Sequence, residues 1–82
     1  MKISAYIPCY NNEQTIKRCI QSIKEQSIPV SELFVISDGS HDGSVEIVKD
    51  LGIDLIDLKK NYGRGYVRAM AMEHAKYDYV LS

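Results

Sequence analysis

The sequence predicts an α/β domain: a parallel four-stranded sheet of order 3-2-1-4 carrying three helices. Four short apolar segments alternate with three helical patterns, the alternation of stacked βαβ units. The second of those segments, Leu33 to Ile36, is apolar throughout, as a strand covered on both faces should be. Right-handed crossovers between parallel strands, with the first strand central, then give that order and a switch point between strands one and four. Ligands of open α/β sheets bind outside the carboxyl ends of strands at such a point. The loops that matter on this reading are Pro8 to Asn12, Ser37 to Ser44 and Ser82 onward.

Each element has its own signal. Lys2 to Ile7 reads as the first strand, ended by Pro8. Asn11 and Asn12 are helix-capping residues, and Gln14 stands three after Asn11, as in a capping box. Ile16, Cys19, Ile20 and Ile23 then fall on one helical face, and Ser27 to Ser31, with Pro29, closes the helix. After the second strand comes the polar stretch Ser37 to Ser44, where Gly39 and Gly43 are available for positive φ. Val45, Val48 and Leu51 predict a short helix stopped at Gly52. Ile53 to Leu58 alternates apolar and acidic residues, the pattern of a half-exposed edge strand. Lys59 to Gly65 reads as a loop, Val67, Met70, Ala71, His74 and Ala75 as the apolar face of a third helix, and Asp78 to Leu81 as the fourth strand.

Composition narrows the function classes. Eighty-two residues allow one domain and are few for an enzyme. Ten Lys plus Arg against eleven Asp plus Glu give a formal net charge of −1, with no basic excess directed at nucleic acid. No apolar run spans a bilayer and no secretory signal precedes the first strand, which predicts a cytoplasmic protein. Cys9 and Cys19 read as small buried residues rather than a disulfide scaffold. With His41 and His74 they lack metal-ligand spacing, so no zinc site is expected. No Ser–His–Asp or Cys–His arrangement can be argued, so no catalytic residue is assigned.

The loops carry the remaining chemistry. Tyr10, just past the first strand, offers an aromatic face to a nucleobase, worth about 1–3 kcal/mol by analogy with nucleic-acid stacking, or packs over the sheet end. Asp38, after the second strand, is placed to accept hydrogen bonds from ribose hydroxyls or a base N–H, or serves as a turn carboxylate before Gly39. Asp42 sits where a helix cap is wanted. Asn61-Tyr62-Gly63-Arg64-Gly65 precedes the third helix, where N-terminal amides beside a guanidinium would suit a diphosphate. Gly63-x-Gly65 is not a dinucleotide fingerprint, and no Gly-Lys-Ser/Thr phosphate loop occurs. Arg64 and Arg68 lie four apart and share a helical face.

Taken in order, Ile7-Pro8-Cys9-Tyr10-Asn11-Asn12-Glu13, Ser37-Asp38-Gly39-Ser40-His41-Asp42-Gly43-Ser44 and Asn61-x-Gly63 followed by Arg68 and Tyr77-Asp78-Tyr79-Val80-Leu81 resemble the N-terminal part of family-2 glycosyltransferases. The resemblance covers essentially the whole chain and implies a Rossmann-like three-layer sandwich, the N-terminal half of a GT-A domain. It implies that Tyr10 stacks on the base of a nucleotide-sugar donor, commonly a uridine diphosphate sugar. Asp38 would hydrogen-bond that base, Pro8 would line the same pocket and Arg68 would stand near the donor. Two positions depart from the family pattern: Ser37 replaces the first of paired aspartates, and Ala69 replaces the asparagine after the arginine.

The same resemblance implies that residues 1–82 are the truncated nucleotide-binding half of a catalytic domain. Its Asp-x-Asp motif, holding Mg²⁺ or Mn²⁺ on the diphosphate, is then expected beyond Ser82, with no metal bound by these residues. The parent would transfer sugar to an acceptor hydroxyl, in the cytoplasm or at the inner face of a membrane, while these residues alone would bind nucleotide weakly and lack transferase activity. Asp78 to Ser82 would leave an open sheet edge for self-association. The alternative is a free-standing flavodoxin-like binding or regulatory module without transferase activity.

Overall fold

The computed structural model describes residues 2–25, 30–77 and 79–81. Its elements run β1 (Ile3–Cys9), α1 (Ile16–Glu25), β2 (Glu32–Asp38), α2 (Ser44–Asp50), β3 (Asp54–Leu58), α3 (Arg64–His74) and β4 (Tyr79–Leu81). All strand pairings are parallel and the sheet order is β3-β2-β1-β4. Part of the segment expected to close the first helix, residues 26–29, lies outside the described residues. So do Asp78 and Ser82, the two ends of the edge expected to self-associate.

Strand alternation sorts the core into two layers. Ile7 and Val35 turn to one face of the sheet and pack with Cys9, Ile16, Ile20 and Val48 under α1 and α2. Tyr6, Phe34 and Ile36 turn to the other and pack with Val67 and Ala71 of α3. Phe34 is fully buried there, and the His74 ring meets it edge-on at 4.5 Å between centroids. At the amino end of the sheet the Ser4 hydroxyl donates to Glu32 at 2.8 Å. Glu32 also accepts the Lys76 N–H at 3.0 Å, which fixes the turn after α3.

Several boundaries differ from the sequence reading, each for a physical reason. β1 does not stop before Pro8: it runs through it, with Pro8 in register with Ile36. Among the described residues β4 flanks β1 only at Ile3, Ser4 and Ala5, so the missing Pro8 N–H interrupts no described pairing on that side. β2 likewise extends through Ser37 and Asp38. Cys19 is exposed, because α1 buries the narrower stripe of Ile16 and Ile20 with Ile23 at its margin. Gly43 has φ −82°, not a positive φ, while Gly39 and Gly52 do lie in the left-handed region at 77° and 71°. Arg64 and Gly65 form the first turn of α3 rather than the end of a loop. Among the described residues, no helix is long and apolar enough to cross a membrane.

Candidate functional site

A groove of about 730 Å³ opens between the carboxyl end of β1 and the first two turns of α3. Tyr6 and Pro8, two apart on β1, present the same strand face to it, while Arg64, Val67 and Arg68 line it from α3. Tyr10 extends the wall beyond β1 and is 52% exposed, with its ring offered to solvent. Asp38 closes the groove from the end of β2.

Hydrogen bonds between loops hold this end of the sheet in one shape. Asn11 adopts φ 50°, and its side chain accepts the His41 N–H at 2.7 Å while its own N–H donates to the Ser40 hydroxyl at 3.1 Å. A short-side-chain Asn is among the few non-glycine residues suited to that conformation. Glu13 and Asp42 continue the bracket: the Glu13 N–H donates to Asp42, and the Gly43 N–H donates back to Glu13. The Asn12 N–H reaches the Ser44 hydroxyl at 3.1 Å. No side chain forms the capping box expected of Asn11 and Gln14; instead the Asn12 carbonyl accepts from Thr15 and Ile16. The side chain of Asn12 accepts the Tyr10 N–H, while those of Asn11 and Glu13 are spent on the neighbouring loop.

Asp38 does the same for the loop before α3. One carboxylate oxygen accepts the Tyr62 N–H at 2.7 Å and the other the Gly63 N–H at 3.0 Å. Its carbonyl accepts the Asn61 side-chain amide at 3.2 Å. Asp38 is 7% exposed, so these bonds form largely out of water. Gly39 explains the close approach: a Cβ there would stand 2.7 Å from the Asn61 nitrogen and from the Lys60 carbonyl carbon. The amides of Tyr62 and Gly63, expected among those facing a diphosphate, are taken by Asp38.

The four residues singled out in the sequence, Pro8, Tyr10, Asp38 and Arg68, thus line one groove. The turn-carboxylate alternative for Asp38 is realised as a bond across 24 residues of chain rather than a local turn. Arg64, read in the sequence as a guanidinium beside the amides at the start of α3 and four residues before Arg68, lines the same groove. Asn61 is held on the wall by its side-chain bond to the Asp38 carbonyl, and Val67, read in the sequence as a core residue of the third helix, also reaches the groove.

Electrostatics follow the same contacts. The Ser44 hydroxyl, against a burial cost and with the N–H groups of Ser44 and Glu13, holds the Asp42 carboxyl below its ordinary range. Burial pushes the Cys9 thiol up, outweighing hydrogen bonds from Ser40 and Ser44. Among the described residues, no group of three or more His, Cys, Asp or Glu is arranged to hold a metal ion.

The profile of glycosyl transferase family 2 matches residues 4–82. The chain is 30% identical over 83 residues to a poly-beta-1,6-N-acetyl-D-glucosamine synthase of Staphylococcus epidermidis, covering 96% of this chain and 20% of that protein. It is 31% identical over 86 residues to a teichoic acid poly(glycerol phosphate) polymerase of the same species, covering 98% of this chain and 12% of the other. Among solved structures, a crystal structure of S. aureus TarS 1-349 superposes with a TM-score of 0.83 at 30% identity, over 98% of this chain and 26% of that one. The chain therefore spans no more than about a fifth of the length of these two curated relatives.

Proposed function

This chain belongs to glycosyl transferase family 2, and we propose that its groove receives the nucleoside diphosphate part of a sugar donor. Family membership displaces the reading as a flavodoxin-like module. The observation that carries the proposal is the convergence of Pro8, Tyr10, Asp38 and Arg68, from three separate parts of the chain, on one groove beside the carboxyl ends of β1 and β2. Equal likeness to relatives named for two different polymers supports a shared donor-handling role rather than a product-specific one.

The transfer breaks the bond between the anomeric carbon and a diphosphate oxygen, whose electron pair leaves with the diphosphate. A new bond forms from the acceptor hydroxyl oxygen, and the hydroxyl proton is lost. Charge grows on the departing diphosphate, so donors and cations aimed at it accelerate the step. In this chain Tyr10 supplies a stacking face for the base, which we take to be uracil, with Pro8 packed against its edge. Asp38 retains lone pairs beyond those used by Tyr62 and Gly63, and these accept from the base N–H. Arg68 faces the diphosphate. A Mg²⁺ or Mn²⁺ ion on the diphosphate is what the family resemblance implies; among the described residues no group of three or more His, Cys, Asp or Glu is arranged to hold it.

Titration of the protein with UDP, followed by calorimetry, tests this reading. Tyr10→Ala removes an exposed ring and is expected to weaken binding by about 1–3 kcal/mol, roughly fivefold to a hundredfold. Equal affinity of wild type and variant would contradict the assignment.

A further inference from the structure

Arg64 is oddly placed for a helix-stabilising residue. It is the first residue of α3, and the first turn of that helix contains no acidic side chain. A cation at a helix N-terminus opposes the macrodipole, so the position disfavours arginine on stability grounds. Its side chain nevertheless lines the groove, with Arg68 one turn further on.

The charge balance of the groove is one-sided. Among the described residues, Asp38 is the only acidic one on its wall, and both of its carboxylate oxygens already accept backbone N–H groups. Among the described residues the one ion pair joins Lys59 to Asp57, so neither arginine is neutralised by a carboxylate there. The chain as a whole carries a formal charge of −1, so this excess is local and not the product of a basic protein. Two guanidinium forks on one helical face suit adjacent phosphate groups, each able to take two oxygens.

We propose that Arg64 is a second anion-binding residue, forming with Arg68 a two-guanidinium clamp for the diphosphate of the donor. The proposal rests on the donor-groove reading and extends it to a residue outside the matched family motif. The Asp38 bonds to Tyr62 and Gly63 set the start of α3, and with it the position of Arg64 over the groove.

The test compares UDP, uridine and inorganic pyrophosphate as calorimetric probes on wild type, Arg64→Ala and Lys17→Ala. Lys17 is an exposed residue of α1, so its removal changes net charge without touching the groove. Arg64→Ala is expected to weaken UDP and pyrophosphate by about tenfold or more, to leave uridine unchanged, and not to lower the melting temperature. Lys17→Ala should bind all probes as wild type does. Unchanged UDP affinity in Arg64→Ala overturns the clamp while leaving the donor reading in place. So does an equal loss of UDP and uridine, or a matching loss in Lys17→Ala. Failure of wild type to bind either UDP or uridine overturns the donor reading and the clamp with it.

Discussion

The carboxylate of Asp38 accepts the Tyr62 N–H at 2.7 Å, joining the end of β2 to the start of α3. With its second oxygen on Gly63 and Gly39 packed against the Lys60–Asn61 peptide, this contact makes two walls of the groove one unit. Site formation and fold stability are therefore coupled at Ser37-Asp38-Gly39.

Gly39→Ala tests that coupling. The new Cβ would enter at 2.7 Å from two backbone atoms, at a φ of 77° that L residues rarely adopt. We expect a stability loss of about 1–3 kcal/mol in denaturant melts, with weaker UDP binding. Gly52→Ala, at a similar φ but with open space around its Cβ, should cost less and leave UDP affinity unchanged. Equal effects of the two variants on binding would show that β2 and α3 are not coupled.

Acid should loosen the molecule at two brackets. The Asp42 carboxyl is held below its ordinary range, and so is that of Glu32, where burial is outweighed by the Lys76 N–H, the Ser4 hydroxyl and nearby positive charge. For carboxyls lowered in the folded state, stability is present above the unfolded value and lost as pH falls through the folded one. The melting temperature should hold from neutrality to about pH 5 and decline below about pH 4. Asp42→Asn and Glu32→Gln should begin lower at neutral pH and show a shallower acid decline. Acid limbs parallel to wild type would contradict this origin.

The two thiols should separate by reactivity. Cys19 is exposed, whereas Cys9 is 1% exposed and its thiol is pushed up by burial. A disulfide reagent at neutral pH should titrate one thiol promptly and the second only on unfolding. The prompt signal should vanish in Cys19→Ser. Equal rates for both would contradict the packing of Cys9 under α1.

Periodicity carried most of the fold. Val67 and Ala71 declare a shared face in the chain itself because helical spacing is local, and the unbroken apolar run Leu33 to Ile36 declares a strand covered on both sides, as Val35 on one face and Phe34 and Ile36 on the other are. Pro8 misled as a strand stop because the pairing of a neighbouring strand decides whether a missing N–H matters, and the described pairing of β4 engages Ile3, Ser4 and Ala5 rather than Pro8. Asn11 and Gln14 misled as a capping box because Asn11 bonds to the neighbouring loop around Ser40 and His41, a partner no local pattern reveals. In the site, Tyr10 and Asp38 were legible as residue types at strand ends. The double acceptance of Tyr62 and Gly63 by Asp38 was not, since it depends on how closely Gly39 lets two loops approach.

A nucleoside diphosphate in the groove between β1 and α3 would perturb the backbone amides that line it. Amide chemical-shift mapping during titration with UDP tests this occupancy most directly. Shifts are expected to concentrate at Tyr6 to Asn12, Asp38 to Ser40 and Asn61 to Arg68, with α2 and β3 unaffected. Shifts centred on any other surface, or none at saturating UDP, would contradict it.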